Sequence, residues 1–319
     1  MTESGGGPGP VAAVVVHWRG REVTERCLRS LLASGGPERV FLVDNGSRAE
    51  EGAALREAFR SEGRVEIAAL PANRGFAGGA DEGARRALAW GAGAILFLNN
   101  DAVLEPGALP RLRVALAGEP RAAAAGPLIL YDDGTGRAWF AGGRLAPAFG
   151  QVTHLDQGRD AAALPREANP AEFLTFCAVL VRREAWERVG PLDEEFFAYG
   201  EDADWCLRAR RAGWSLVHRR DARVLHRVNG SLGAGSPPQA YLLHRARVLL
   251  VRRHCGAAAR WLVFWPWMVL VRGPHDFLRS LATRGWAAAA AGVRGVLDGA
   301  RGGAPRGYRA ELGLEEGGR

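Results

Sequence analysis

The chain has 319 residues, 47% of them hydrophobic, and a formal net charge of +7. This length and apolar content suit a globular protein with one large α/β domain and an appendage, or with two modest domains. Residues 1–10 are rich in Gly and Pro and lack the apolar segment of a signal peptide, so we expect a disordered lead rather than a secretory leader. The four cysteines lack CxxC spacing and stand among apolar residues, which favours a reduced cytoplasmic compartment.

The positive charge is concentrated towards the C-terminus. From Trp205 onward, 20 arginines stand against 6 acidic residues. Such an excess suits phosphate-bearing ligands, anionic lipid headgroups or nucleic acid. Every Lys/Arg position in the chain is Arg, so the choice of Arg over Lys carries no weight by itself.

Apolar runs alternate with segments of helical spacing in the first hundred residues. The runs lie at 11–16, 40–43, 65–68 and 95–98, and the helical segments at 23–33, 49–62 and 80–90, the last of them after a predicted Gly-rich turn. Strands that alternate with helices form βαβ units, so we predict a mostly parallel, Rossmann-like sheet flanked by helices. Ligands of such sheets bind outside the carboxyl ends of the strands.

Polar residues follow all four apolar runs. They form groups at 17–19, which begins with His17, at 44–47, which begins with Asp44, at 73–75 and at 99–101. Polar groups at the carboxyl ends of neighbouring strands are the pattern expected of a nucleotide-binding edge.

The second half of the chain is less regular. A strand at 123–130 leads into Gly-rich loops up to residue 150, for which we expect irregular structure that faces the acceptor. The further predicted elements are a strand at 173–181, helices at 184–189 and 202–212, and short strands at 214–218 and 224–226. The composition then changes to Arg-studded apolar helix, which predicts a helical, basic and aromatic-rich extension over residues 236–319.

Residues 261–271 of this extension, WLVFWPWMVLV, are wholly apolar and lie between Arg260 and Arg272. Pro266 interrupts the segment, which is shorter than the roughly 20 residues that span a bilayer. Aromatic, Arg-flanked segments of this kind suit a membrane interface. A buried helix that closes the core is the alternative interpretation.

Asn99, Asn100 and Asp101 directly follow the fourth run. A carboxylate at a strand end can bind Mg²⁺ or Mn²⁺ while the metal bridges a diphosphate, and the neighbouring amides can hydrogen-bond to a ribose or a phosphate. An Asx-rich turn that leads into a helix near Pro106 is the alternative.

A second acidic group, Glu201, Asp202 and Asp204, follows the aromatic segment FFAYG. These carboxylates could simply cap a helix N-terminus. Adjacent aromatic rings, however, make a partly dehydrated site in which a carboxylate can take a hydroxyl proton. Because Asp202 and Asp204 lie on nearly opposite faces of a helix, one is a candidate base and the other a structural anchor, with Arg208 as its expected partner.

His226 ends the last predicted strand. A lone histidine is more often a satisfied structural residue than a ligand. Its neutral imidazole would nevertheless complete a metal site with Asp101 and diphosphate oxygens.

Four segments together resemble family 2 glycosyltransferases of the GT-A fold, especially their rhamnosyltransferase-like branch. The segments are VDNGS at 43–47, LPANRGFAGG at 70–79, LNND at 98–101 and FFAYGEDADWCLRARRAGW at 196–214. They occur in the family's order and spacing, and we place the glycosyltransferase domain at 11–235. The resemblance implies an α/β GT-A fold followed by the C-terminal helical extension.

The resemblance also implies roles for the matching residues. Asp101 and His226 would bind the metal, and Asp202 would be the catalytic base. The donor-binding residues would be His17, Asp44, Asn73, Arg74, Gly75, Phe76, Asn99 and Asn100. The acceptor-side residues would be Glu201, Asp204 and Trp205.

Residues and resemblance together predict an inverting, metal-dependent hexosyltransferase that uses Mg²⁺ or Mn²⁺. Asp202 would take the proton of an acceptor hydroxyl, while the metal and Arg74 offset charge on the departing nucleoside diphosphate. The donor would be a dTDP-, UDP- or GDP-sugar, with dTDP-rhamnose favoured, and the acceptor a glycan or lipid-linked glycan of the cell envelope. We expect a cytoplasmic protein, peripheral on the inner face of the cell membrane, without a nucleic-acid partner.

Two other functions stay open at the level of sequence. A nucleotidyltransferase uses a similar sheet and metal carboxylates, but it would need a Gly-rich phosphate loop where this chain has residues 17–20, HWRG. A non-catalytic binder of membrane surfaces or nucleic acid would use the basic C-terminal third, and it leaves the carboxylates unexplained.

Overall fold

The computed structural model describes residues 9–33, 35–165, 168–228, 233 and 235–314. The predicted disordered lead at 1–10 therefore lies almost wholly outside the described residues. The strands of the described part are β1 (Val11–His17), β2 (Arg39–Asn45), β3 (Val65–Leu70), β4 (Ala94–Leu98), β5 (Ala102–Leu104), β6 (Ala122–Tyr131), β7 (Ala138–Phe140), β8 (Gly143–Ala146), β9 (Gln151–His154), β10 (Ala168–Pro170), β11 (Ala178–Arg182) and β12 (Ser215–His226).

The helices surround the strands and extend the chain beyond them. They are α1 (Arg21–Leu32), α2 (Ala49–Ala58), α3 (Gly75–Trp90), α4 (Ala108–Gly118), α5 (Arg183–Val189), α6 (Glu201–Arg211), α7 (Pro237–His254), α8 (Ala257–Ala259), α9 (Trp265–Trp267), α10 (Gly273–Arg284) and α11 (Trp286–Arg301). Segments of π-helix at Arg260–Phe264 and Met268–Arg272 join α8, α9 and α10. Short 3₁₀ turns lie at Pro147–Phe149, Ala161–Ala163 and Glu194–Phe196.

The first half of the chain forms the parallel part of one large sheet. Its strands lie in the order β10-β12-β6-β11-β4-β1-β2-β3. β1 pairs in parallel with β2 and β4, and β2 pairs in parallel with β3. The residues of β1 and β4 are almost wholly buried, which explains why both strands are continuous apolar runs. The predicted parallel sheet flanked by helices is confirmed.

The second half completes the sheet with antiparallel pairs. β11 lies antiparallel between β4 and β6, and β12 runs parallel to β6 but antiparallel to β5 and β10. β7 adds to the edge of β6, while β8 and β9 form a separate two-stranded unit. The region predicted as irregular therefore contains two short strands, β7 and β8, and β9 follows it directly.

Several predicted boundaries were wrong. The strand predicted at 173–181 starts only at Ala178, because residues 173–177 are buried without joining the ladder, apart from a single bridge between Phe173 and Gly143. The two strands predicted at 214–218 and 224–226 are one strand, β12. A register irregularity between Arg219 and Arg223 bends β12 and interrupts its apolar pattern.

Helix α3 begins five residues before its predicted start. The Gly-rich stretch read as a turn is its first turn, and the glycines let the helix lie close on the sheet. A Cβ on Gly79 would come within 2.6 Å of Val16, and one on Gly83 within 2.3 Å of Val14. Close helix–sheet contact, rather than a chain reversal, therefore explains these glycines.

The C-terminal helices pack against the sheet domain and against one another. Arg245 on α7 is fully buried and donates to the Glu195 carbonyl at 2.6 Å, and its Nε lies 3.4 Å from Asp298 on α11. In the apolar 261–271 segment, Phe264 and Met268 are buried, whereas Trp261 is 68% and Leu262 77% exposed. Among the described residues, none of the helices has the length and hydropathy needed to cross a bilayer.

Candidate active site

A cleft of about 700 Å³ opens at the carboxyl ends of β1 and β4. Its walls come from the turn after β4, the segment 197–202, the end of β12 and the facing sides of α7 and α10. The predicted site residues that line it are Asn73, Gly75, Phe76, Asn99, Asn100, Asp101, Glu201, Asp202 and His226. The sheet thus brings together residues from widely separated parts of the chain.

Asp101 and His226 are held together by strand pairing. Asp101 precedes β5, and β5 pairs antiparallel with the end of β12 so that His226 lies opposite Ala102. The Arg227 amide also donates to the Asp101 carbonyl at 3.0 Å. As a result, Nε2 of His226 lies 3.1 Å from Oδ1 of Asp101, and each side chain is only 8% exposed.

This pair fits two ligands of one divalent cation. With ligand distances of roughly 2.1 Å, adjacent ligands of an octahedral metal lie about 3 Å apart. No cluster of three or more His, Cys, Asp or Glu side chains forms a metal site within the described ranges. The remaining ligands would therefore have to come from the phosphates of a donor and from water.

The protonation of His226 depends on its neighbours. Burial disfavours the charged imidazolium, but Cys177 and Asp101 beside it raise the pKa of His226 to about 10. The edge of the ring also packs on Trp139, with centroids 4.5 Å apart. A cation at this position would compete with the proton that His226 shares with Asp101.

Asp202 and Glu201 open helix α6 directly after Gly200, whose φ is +88°. Asp202 accepts a hydrogen bond from the Ala203 amide at 2.8 Å. Burial raises the pKa of Asp202 to about 6, against hydrogen bonds from Ala203, Thr175 and Phe176 that lower it. Asp202 is therefore a carboxylate at neutral pH that can still take up a proton.

Glu201 lies deeper than Asp202. It is buried, and its Oε2 has no hydrogen-bond partner among the described residues. Burial, and then the charge of Asp202, raise the pKa of Glu201 well above its usual value. Glu201 is thus the neutral member of this adjacent pair, and Asp202 the charged one.

The aromatic loop at 196–200 carries backbone strain. Phe197 has φ 66° and ψ −64°, and the Ala198 amide donates to the Phe196 carbonyl at 2.8 Å, which makes a γ-turn of the rare positive-φ kind. Tyr199 also has a positive φ of 68°. Non-Gly residues held in such conformations are concentrated at functional sites.

A comparison with protein families matches residues 12–190 to the model of Glycosyl transferase family 2. The chain belongs to this family. The predicted transfer of a sugar from a nucleotide sugar to an acceptor is thereby confirmed at the level of the family.

Three similar proteins illustrate the relationship. The N-acetylglucosaminyl-diphospho-decaprenol L-rhamnosyltransferase of Mycobacterium tuberculosis is 31% identical over 274 residues, which cover 74% of this chain and 83% of that protein. The mannosyltransferase PcManGT from Pyrobaculum calidifontis, solved with GDP-Man and Mn²⁺, has a TM-score of 0.57 and 15% identity over 97% of this chain and 85% of that one. GalNAc-T7, solved with UDP, GalNAc and Mn²⁺, has a TM-score of 0.60 and 17% identity over 76% of this chain and 47% of that one. The two structural likenesses show the GT-A fold that the sequence predicts.

Two predicted acceptor-side residues of this family 2 chain do not reach the cleft. Asp204 accepts hydrogen bonds from Arg208 and from His254, each at 2.7 Å, so it is the anchor expected from the helix spacing. Trp205 is fully buried and donates its indole N–H to the Gly190 carbonyl at 3.0 Å. Both face the protein interior. Asp204 lies two positions, or about 200° around the helix, from Asp202, whereas Trp205 packs against Phe176 and Trp186.

Three predicted donor residues also lie outside the cleft. His17 is buried, with Nδ1 2.8 Å from the Thr24 hydroxyl and its pKa lowered by burial. Asp44 accepts from the Ser47 amide at 3.0 Å. Arg74 forms an ion pair with Glu194. Each of these side chains is engaged with a neighbour in the protein and does not line the cleft.

Asn73 lines the cleft, but its amide is used internally. Its Oδ1 accepts from Asn45 and from the Gly75 amide, each at 2.8 Å, and its Nδ2 donates to the Leu312 carbonyl at 2.9 Å. Asn100 similarly donates to the Thr24 hydroxyl at 2.9 Å. These contacts fix the shape of the strand-end loops.

The structure adds cleft residues that the sequence did not single out. They are chiefly Trp18, Trp139, His154, Thr175, Tyr199 and Gln239, together with arginines on α7 and α10. Trp139 and His154 lie on β7 and β9, in the region whose sequence looked irregular. The only available signal was the aromatic pair Trp139-Phe140 within the Gly-rich loops, and it does not reveal which way a side chain faces.

Proposed function

We propose that this protein is an inverting, metal-dependent glycosyltransferase that transfers a hexosyl group, with rhamnose favoured, to a hydroxyl of a lipid-linked cell-envelope glycan. The main observation behind the proposal is that Asp202 and the Asp101–His226 pair line the same cleft. A base and a metal-ligand pair in one cleft are what a displacement at a sugar phosphate needs.

Asp202 acts as the base in this proposal. Its carboxylate takes the proton of the acceptor hydroxyl while that oxygen forms a bond to the anomeric carbon. The bond from the anomeric carbon to the donor phosphate breaks in the same step, and the nucleoside diphosphate leaves. Attack from the face opposite the leaving group inverts the anomeric centre.

Asp101 and His226 would hold the divalent cation, which, when bound, offsets negative charge on the diphosphate. Mg²⁺ and Mn²⁺ both accept a carboxylate and an imidazole ligand. Arg74 is assigned no part in the displacement, because it pairs with Glu194 outside the cleft.

The sugar and acceptor are proposed from the relatives. The similar mycobacterial protein is named for rhamnosyl transfer to N-acetylglucosaminyl-diphospho-decaprenol, which supports rhamnose as the sugar and a lipid-linked glycan as the acceptor. The dTDP carrier of the rhamnose is proposed from the family resemblance. The mannosyltransferase with GDP-Man and GalNAc-T7 with UDP keep GDP- and UDP-sugars as alternatives. The nucleotidyltransferase and non-catalytic alternatives do not account for membership of a glycosyltransferase family.

The decisive experiment is Asp202→Asn. We expect turnover to fall by roughly 10²- to 10⁴-fold because the base is lost, whereas the affinity for the nucleotide sugar changes little. Initial rates with dTDP-rhamnose and a lipid-linked acceptor, together with calorimetric donor titrations, measure both. Asp133→Asn, a change at an exposed carboxylate outside the cleft, is the matched control. Near-normal turnover of Asp202→Asn would rule out the proposed base.

Metal dependence is tested with His226→Ala. We expect the Mn²⁺-dependent binding of UDP and dTDP to weaken at least tenfold, because one of two protein ligands is lost. His154→Ala is the control, since it removes a second histidine of the cleft whose Nδ1 faces the Trp139 carbonyl rather than Asp101. Equal nucleotide affinity with Mn²⁺ and with EDTA in the unaltered protein would contradict metal binding here.

A further inference from the structure

The cleft continues beyond the catalytic residues between helices α7 and α10. Tyr199, close to Asp202, accepts from Gln239 at the start of α7 at 3.2 Å. From Gln239, residues 243, 246, 247 and 250 line the cleft at helical spacing. Residue 272, which ends the preceding π-helical segment, and residues 276, 279, 280, 283 and 284 of α10 also line the cleft. One face of α7 and one face of α10 thus form this wall of the cleft.

The two helices run in opposite directions along the cleft. Arg247 of α7 donates to Asp276 near the start of α10 at 2.8 Å, whereas the guanidinium of Arg284, at the end of α10, lies against Gly235 before α7. Arg247 is eight residues beyond Gln239, which corresponds to roughly 12 Å along a helix. Cationic side chains therefore extend along the cleft away from Asp202.

These side chains, the arginine cluster, are Arg247, Arg272, Arg279 and Arg284. Asp276 accepts from Arg247 and Arg272, each at 2.8 Å, and so compensates for one of the four charges. Arg279 and Arg284 form no ion pair with any carboxylate of the described residues. The cluster therefore keeps an excess of about three positive charges inside a concave site, where the field is focused.

The neighbouring side chain of His244 lies in the positive electrostatic field of these arginines. Burial, and then the charge of Arg247, lower the pKa of His244 to about 4, with Asp276 opposing and Arg272 and Arg284 adding to the effect. Arginines from both helices thus act on one point in the cleft. Guanidinium groups gathered in this way are suited to phosphate oxygens, which they bind through two parallel N–H bonds.

Exposed apolar side chains border the arginine cluster. Val269, Leu270 and Val271 are exposed immediately before Arg272 in the chain, and Leu278 and Leu281 are exposed on the outer face of α10, away from its cleft-lining residues. A ligand that reaches from the cluster to this border would meet phosphate-binding groups first and apolar surface next. This order matches an amphiphile with a phosphorylated head.

We propose that the arginine cluster is a second anion subsite, separate from the Asp101–His226 pair, that binds the diphosphate of a polyprenyl-diphosphate-linked acceptor. The proposal rests on the proposed function and deepens it. The acceptor sugar lies towards Asp202, its diphosphate lies on the cluster, and its hydrocarbon chain leaves over the apolar border. Anionic lipid headgroups share this phosphate chemistry, so the experiment separates the two sources.

The test uses the double variant Arg279→Gln/Arg284→Gln, because neither residue holds a carboxylate of the described chain. The control is Arg294→Gln/Arg301→Gln, which removes the same charge from exposed positions on α11 that do not line the cleft. Two water-soluble acceptors are compared, N-acetylglucosamine on a short prenyl diphosphate and the same sugar as an uncharged alkyl glycoside. We expect the double variant to lose at least tenfold of the kcat/KM preference for the diphosphate acceptor. An unchanged preference would overturn the proposal.

Two further measurements separate the explanations. Inorganic pyrophosphate in EDTA should bind the unaltered protein and the control, and should bind the double variant at least tenfold more weakly; equal binding would overturn the subsite. If the unaltered protein glycosylates neither acceptor, the proposed function fails, and the pyrophosphate titration alone decides the subsite. Loss of binding to phosphatidylglycerol vesicles without any change in acceptor preference or pyrophosphate affinity would assign the cluster to membrane headgroups and refute the proposal.

Discussion

The charge on Asp202 is set by its place at the start of α6. Because burial raises its pKa to about 6, this carboxyl is protonated and inactive as a base below that pH. We expect kcat/KM to rise with pH through an acidic limb near 6 and to level off above 7. A pH–rate profile measures the limb. A rate independent of pH down to 5 would contradict the assignment of Asp202 as base.

The neighbouring Glu201 supplies a control for that profile. Burial, and then the charge of Asp202, raise the pKa of Glu201 well above its usual value, which favours its neutral form. Glu201→Gln places a neutral amide at this position, so we expect the acidic limb of the pH–rate profile to remain. Loss of the acidic limb in Glu201→Gln would show that Glu201, and not Asp202, is the group whose titration produces it.

The contacts of an individual side chain could be predicted from the sequence when its partner lies nearby in the chain. The pairing of Asp204 with Arg208 follows from four residues of helix spacing. The contact of Asp101 with His226 does not, because it depends on the pairing of β5 with β12 across 125 residues. The inward position of His17 also could not be predicted, since a polar residue at a strand end can face either side of the sheet.

Gly75, the first residue of α3, couples two elements of the site. Its φ is +74°, and an added Cβ would lie 2.2 Å from the carbonyl oxygen of Phe197 in the aromatic loop. Gly75→Ala should therefore lower the free energy of unfolding by roughly 1–3 kcal/mol more than Gly134→Ala. Gly134 is the matched control, because its φ is +75° and nothing lies within 4 Å of its added Cβ. Equal losses in urea unfolding would show that the Phe197 contact is without effect.

The position of helix α6 is stabilised by hydrogen bonds and an ion pair of the buried Asp204. Asp204 joins Arg208 of its own helix to His254 at the end of α7, and Arg208 also donates to the carbonyls of Val189 and Pro191. Asp204→Asn leaves the guanidinium of Arg208 without its counter-charge, and we expect a loss of about 3 kcal/mol in the free energy of unfolding. Asp221→Asn, which breaks a surface pair with Arg219, should cost at most about 1 kcal/mol. Comparable losses in denaturant unfolding would contradict the structural role of Asp204.

Strands and helices could be predicted from the sequence where burial makes the pattern of apolar residues uniform. The parallel strands β1, β2 and β4 contain continuous apolar runs because both of their faces are covered, whereas the edge strand β3 contains Glu66 and is only partly buried. β12 was read as two strands, because the bend at 219–223 places Arg219, Arg220 and Asp221 inside it. The start of α3 was missed because glycines that allow close approach to β1 resemble those of a turn.

At the scale of the whole molecule, the C-terminal helices complete the cleft. α7 and α10 provide its far wall, so the sheet domain alone contains the proposed catalytic residues but only part of the lining. The division at residue 235 stays a prediction from composition. The membrane-interface interpretation of 261–271 also stays a prediction, to which the exposure of Trp261 and Leu262 gives a physical basis.

The hydrogen bond from Asn73 to the Leu312 carbonyl has a consequence for biosynthesis. These residues are 239 positions apart, and Leu312 lines the same cleft as Asn73. On the ribosome, the β-strands of the first half can pair long before residue 312 has been translated. The loop that carries Asn73 gains this partner only after α7 to α11 have also been translated, so the sheet residues alone cannot give this part of the site its final contacts.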